Sequence, residues 1–173
     1  MRSKYAAFGL VLVLVLALDQ AGKRHVSESL AIGERVPLVG SLLAWTYQPA
    51  AGGALGIFRD WSATAELTGY AVLSGVAAIV VFVFLRSLAP RDYGTSVALG
   101  AILAGVVSNS VDRFRVGASL NFLHAGPIGS SPLPDFNFAD VAILLGVGTL
   151  IVELLATEIA ARAAERPRRS PPY

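Results

Sequence analysis

Four long apolar stretches divide the chain, and polar residues gather at one end of three of them. Tyr5 to Leu18 is apolar almost throughout and runs into the polar turn Asp19 to Lys23. Leu67 to Leu85, Thr95 to Val107 and Val141 to Ala156 follow. A helix that crosses a bilayer needs roughly 20 mostly apolar residues. The first and third stretches are short on that measure, so each must extend by a turn into polar sequence. The pattern predicts an all-α membrane protein with four transmembrane helices and a small β part. The β part is expected in the first long loop, where "RVPLVGSLLAWTYQPAAGGALGIF" breaks apolar and aromatic residues with Gly and Pro. That loop reads equally as an interfacial segment anchored by Trp45 and Trp61 or as a small sheet on the membrane surface.

Charge sets the expected topology. Arg2, Lys4, Arg86, Arg91, Arg162, Arg166, Arg168 and Arg169 fall on one side of four spans. The other six, Lys23, Arg24, Arg35, Arg59, Arg113 and Arg115, lie in or beside two much longer loops, about 25–66 and 114–139. An excess of Lys and Arg in short loops and ends marks the cytoplasmic side, so both termini are expected there. The apolar run after Arg2 and Lys4 could be taken for a signal peptide. Asp19 and Gln20 stand where small residues would be needed for cleavage, which favours a retained helix. Residues 1–161 read as one membrane domain, and 162–173 as a basic, Pro-rich tail without fixed structure.

Composition narrows the chemistry. Hydrophobic residues make up 54% and charged residues 15%, against about 25% charged in average soluble chains. A net charge of +2 without a basic, aromatic-studded stretch gives no reason to expect nucleic acid. There is no cysteine, which excludes disulfides and thiolate catalysis, and the two histidines are far apart. No metal or organic cofactor is expected.

Three polar clusters remain. "DQAGK" puts Asp19 and Lys23 at i and i+4 on one helix face; an interfacial ion pair is the plain reading. "SNSVDRF" puts Asn109, Asp112 and Arg113 on one face. Arg113 suits a helix C-terminus or a fork holding carbonyls or a carboxylate, but Asp112 is left over. "FNFAD" opens the fourth span with Asn137 and Asp140, a cap or a site. Ionisable groups in spanning helices mark function by default, though a helix end lowers their cost.

In this order the motifs resemble the bacterial lipoprotein signal peptidases, the type II signal peptidases. "LDQAGK" is similar to the family's Asp-Gln-x-x-Lys. "GGALGIF", with Gly53, is similar to a Gly-Ala-Ala-Phe-Gly stretch of its β-cradle. "AGVVSNSVDR" resembles Gly-Gly-x-x-Gly-Asn-x-x-Asp-Arg, and "FNFAD" is Phe-Asn-x-Ala-Asp. The resemblance implies a four-helix intramembrane aspartic protease of the inner membrane, with a periplasmic cradle between helices 1 and 2. It implies cleavage of diacylglyceryl-modified prolipoproteins at the lipobox, just before the lipidated cysteine, with membrane lipids as further partners. Asp140 would be one catalytic carboxylate. Asn109, Arg113 and Asn137 would orient substrate backbone and the dyad, and Asp19 and Lys23 would fix the first helix.

The departures from the family bear on mechanism. The second catalytic aspartate falls on Asn121 in "GASLNFL". A cradle Asn is Ala50 here, and two motif glycines are Ala104 and Ser108. An aspartic dyad works by sharing one proton between two carboxyls. An Asn amide can donate a hydrogen bond but cannot exchange a proton. Either Asp135 or Asp112 substitutes, or the chain binds lipoprotein precursors, or an antibiotic that mimics them, with little turnover. Asn121 could also be an isolated change in a competent enzyme. A small transport or assembly protein is the reading from another class, but the second span offers only Ser74 as a polar residue at mid-membrane.

Overall fold

The computed structural model describes residues 2–50, 60–127 and 133–165. It has four long helices, α1 (Arg2–Ser29), α2 (Ala63–Ser87), α3 (Tyr93–Val116) and α4 (Phe138–Glu165). All four are long and apolar enough to cross a membrane. Their outward faces carry exposed Leu10, Val13, Ile79, Val83, Leu144 and Leu154. Such a surface suits lipid rather than water. The chain is a multi-pass membrane protein.

Helix α3 is central, with half of its spanning stretch buried. Phe8, Val81, Leu85, Leu99 and Leu103 close the core between α1, α2 and α3. Without a hydrophobic drive in lipid, helices associate through close packing at small residues. A Cβ on Gly105 would meet the Ala139 carbonyl oxygen at 2.5 Å and Ile143 Cγ1 at 2.6 Å. A Cβ on Gly100 would meet the Phe8 carbonyl oxygen at 2.6 Å. Backbone cannot yield as a side chain can, so Gly105→Ala should push α3 from α4. The expected cost is about 1–3 kcal/mol, read as a lower unfolding temperature in detergent.

Three strands form an antiparallel sheet in the order β1 (Arg35–Val39), β2 (Leu43–Ala50), β3 (Ser119–Ala125). Two expectations change here. The cradle does not lie between α1 and α2 alone, because β3 comes from the second loop and pairs Gln48 with Asn121 and Trp45 with Leu123. The loop bounds also shrink. Helix α1 runs on to Ser29, α2 starts after its cap Ser62, and α3 reaches Val116 before Gly117 ends it at φ +79°. Helix α4 begins at Phe138 and continues past residue 161 to Glu165, with Glu158 and Arg162 paired at i, i+4. Helical pairing of this kind extends a span into polar sequence.

The sheet packs on the end of α1 through Phe122. Its ring lies 4.9 Å from Phe138, edge to face, and 5.7 Å from Trp45. A Cβ on Gly22 would meet Phe122 Cζ at 2.7 Å, so only glycine lets the ring seat there. Trp45 thus packs in the sheet's core cluster. The sheet lies at one end of the bundle. At the other end Ser3 Oγ donates to the Pro90 carbonyl and Lys4 Nζ to the Leu88 carbonyl, tying α1 to the link after α2.

Candidate active site

Toward the sheet end, Asp19–Lys23 of α1 and Ser108–Arg113 of α3, both within the last three turns of their helices, meet the first turn of α4. The i, i+4 spacing of Asp19 and Lys23 closes an ion pair of 2.6 Å, and Lys23 Nζ also reaches Asp112 Oδ2 at 2.5 Å. It donates further to Asn109 Oδ1 at 3.0 Å. One buried cation therefore serves two buried carboxylates. Asp19 Oδ1 accepts from the Ala139 N–H at 2.9 Å, capping a free donor of α4's first turn from a neighbouring helix. Asp19 Oδ2 accepts from Ser108 Oγ at 2.6 Å, and Gln20 Nε2 donates to Ser108 Oγ and Asp112 Oδ1. Ser108, a departure from the glycine pattern, supplies the hydroxyl that this network uses. Gln20 and Ser108 are not among the candidate site residues read from the sequence; the Asp-Gln-x-x-Lys resemblance contains Gln20, and Ser108 carries no signal beyond its spacing from Asp112.

Asp140 and Asn137 cap α4 reciprocally. The Asp140 N–H donates to Asn137 Oδ1 at 2.8 Å, and the Asn137 N–H to Asp140 Oδ2 at 3.3 Å, in the manner of a capping box. The other Asp140 oxygen accepts from Asn109 Nδ2 at 2.9 Å. Asn109 Oδ1 in turn accepts from Lys23, from Ser119 Oγ at 2.7 Å and from Asn137 Nδ2 at 3.2 Å. Asn109 and Asn137 thus each bond through both their side-chain oxygen and nitrogen, and Asn137 is wholly buried. A polar network satisfied in this way is rigid.

Asn121 enters the same network from β3. Its Oδ1 accepts from Asn137 Nδ2 at 3.0 Å, and its Nδ2 donates to the Asp135 carbonyl at 2.7 Å. The Asn137 residue therefore links Asn121 and Asp140. The two acids considered as substitutes are engaged with cations. Asp112 serves Lys23, and the Asp135 carboxylate accepts from Arg35 Nη2 at 3.1 Å and lies 2.6 Å from His124 Nδ1. Neither has a hydrogen bond to Asp140 among the described residues.

Arg113 sits between the α3 backbone and the Tyr70 ring of α2. It donates to one carbonyl, that of Asn109, at 3.3 Å, and its guanidinium lies 3.8 Å over the Tyr70 ring. Together with Glu66, Leu67 and Gly117 these two line a cavity of about 270 Å³ between α2 and α3. Gly53 lies outside the described residues. Among the described residues no three metal-ligating groups converge. Chemically, the site offers one half-buried carboxylate beside a fixed neutral amide.

Comparisons with known proteins extend this geometry. The family model for signal peptidase II matches residues 11–156. The lipoprotein signal peptidase of Desulforapulum autotrophicum is 31% identical over 87% of this chain and 92% of its own length. That of Geobacter sulfurreducens is 31% identical over 91% and 97%. The fold is similar to that of a bacterial membrane enzyme solved by the in meso method at 2.3 Å resolution. That likeness has a TM-score of 0.77 at 24% identity, over 94% of this chain and 93% of the other.

Proposed function

Since this chain belongs to the signal peptidase II family, we propose that it binds diacylglyceryl-modified prolipoproteins and cleaves them slowly, with Asp140 as its single catalytic carboxylate. The site lies at the outer face of the bacterial cytoplasmic membrane, the side away from the larger share of Lys and Arg in short segments. The membrane domain runs to the end of α4 at Glu165, and the basic, Pro-rich sequence that follows is its tail.

One observation carries the reading. Both ends of the Asn121 amide, at the position that the family resemblance assigns to the second acid, are held, by Asn137 and by the Asp135 carbonyl. An amide fixed in this way can polarise a scissile carbonyl through its remaining N–H, as the protonated acid of a dyad does. It has no proton to give the leaving amine, so the proton that Asp140 takes from the attacking water must itself pass to that amine, which keeps the step slow. Asp140 can accept a proton from the attacking water, and its bonds to Asn109 and Asn137 orient it for that. Loss of one general acid costs about 10²–10⁴ in rate. Arg113 and the cavity beside it would take substrate backbone, and Lys23 would hold α1 and α3 together beneath the site. A transport path is disfavoured because the network gathers at one end of the bundle.

The test is cleavage and binding of a diacylglyceryl-modified prolipoprotein by the full chain in detergent, beside Asp140→Asn. Slow release of the signal peptide by the native chain, lost in Asp140→Asn with binding retained, is the expected result. Cleavage that survives Asp140→Asn would place the chemistry elsewhere.

A further inference from the structure

We propose that Asp135 is the positioning residue for Asn121: Arg35 and His124 clamp its side chain so that its main-chain carbonyl fixes the Asn121 amide. The role in catalysis rests on Asn121 being the second member of the site, as proposed above.

The clamp is built from three elements. Arg35 lies in β1, opposite Thr46 of β2, and His124 lies in β3, opposite Ala44. Ala44 and Thr46 are two apart on one strand and share a face. Their small, buried side chains leave room for the Asp135 carboxylate to reach from β1 to β3 across β2. Asp135 is 8% exposed, with one oxygen 2.6 Å from His124 Nδ1 and the other 3.1 Å from Arg35 Nη2. Its neighbour Phe136 is laced to the same strand, donating to the Leu123 carbonyl and accepting from the Leu123 and Phe122 N–H groups at 2.9–3.1 Å.

Asn121 and His124 stand three residues apart on β3 and so point to opposite faces. Asp135 joins the two faces, with its carboxylate on the His124 side and its carbonyl on the Asn121 side, 2.7 Å from Nδ2. A buried ion pair is weak evidence for stability, because desolvation offsets much of its attraction. What it gives here is a fixed place for a carbonyl in an irregular segment, at the atom that decides which way the Asn121 amide faces.

The test reads Asn121 directly. In the full chain in detergent, the Asn121 side-chain amide signal is assigned in a ¹H–¹⁵N spectrum by its loss in Asn121→Asp. His124→Asn keeps a donor near the Nδ1 position but loses ring volume; His124→Phe does the reverse. The clamp predicts that the signal stays in His124→Asn and shifts in His124→Phe, Asp135→Ala and Arg35→Gln. The same three variants should lower kcat about 10–100-fold, the scale on which small misplacements act, with lipopeptide affinity held. Arg35 is the most exposed member, so its variant carries the test if the others do not fold. A signal that follows ring volume, or one that none of the variants moves, overturns the proposal. The amide signal needs no turnover, so a chain that binds no lipopeptide would undo the peptidase reading and leave the clamp readable.

Discussion

Asn121→Asp is expected to raise the rate of prolipoprotein cleavage by about 10²–10⁴, the scale of one general acid–base group, with little change in substrate affinity. The variant is nearly isosteric, and the hydrogen bonds around residue 121 say how the new carboxyl would sit. The oxygen replacing Oδ1 keeps its donor, Asn137 Nδ2 at 3.0 Å. The oxygen replacing Nδ2 faces the Asp135 carbonyl, which lies 2.7 Å from Nδ2 in the native site. A carbonyl can only accept, so that oxygen fills the site best as an O–H. The pocket is therefore shaped for the protonated member of a dyad, and the native amide occupies it as a permanent mimic. With Asp at 121 the proton can leave toward the departing amine and return, and the catalytic cycle closes. Mass-spectrometric release of the signal peptide at saturating substrate checks this, with Asn121→Asp/Asp140→Asn as the control. A rate unchanged by Asn121→Asp would mean that the missing acid is not what limits this site, and would direct attention to Ala50 and the altered glycines.

How far the sequence reaches can be seen residue by residue. The four spans were legible because lipid imposes one simple rule, a run of apolar residues long enough to cross. The pairing of Asp19 with Lys23 was legible too, as was the common face of Asn109, Asp112 and Arg113, since helical periodicity alone sets both. Helix ends were less so, as α1 and α3 continue through polar residues whose partners lie on other helices: Asp19 on the Ala139 N–H, Lys23 on Asp112. Strand β3 was missed because "SLNFLHA" carries no clean alternation, and its register comes from β2 and from Phe136 rather than from its own pattern. Asp135 drew notice as an acid near Asp140 in sequence. Its side-chain partners, Arg35 and His124, are 100 and 11 residues away, and only the closed sheet brings them to it. Ser108 departs from the glycine of the motif, and its hydroxyl serves Asp19.

The largest stability effect is expected from Lys23→Met. Lys23 is 2% exposed and is the one cation bonded to both Asp19 and Asp112 among the described contacts. Methionine is one atom shorter but unbranched and similar in volume, so the change removes charge with little loss of bulk. Removing one partner of a buried pair typically costs about 3–5 kcal/mol, because the remaining charge is stranded. Here two carboxylates would be stranded together. The neutral donors that remain, Ser108, Gln20 and the Ala139 and Leu120 N–H groups, can hydrogen-bond them but cannot offset their repulsion. The damage should spread to the site, since Lys23 is also one of three donors on Asn109 Oδ1. Thermal unfolding in detergent measures the loss, and adding Asp112→Asn should restore part of it. Asp112→Asn keeps an acceptor for Gln20 while deleting one charge, so the double variant should be more stable than Lys23→Met alone; contacting residues are where such non-additivity is expected. If instead the two losses simply add, charge compensation is not what Lys23 contributes, and its packing between α1 and α3 is.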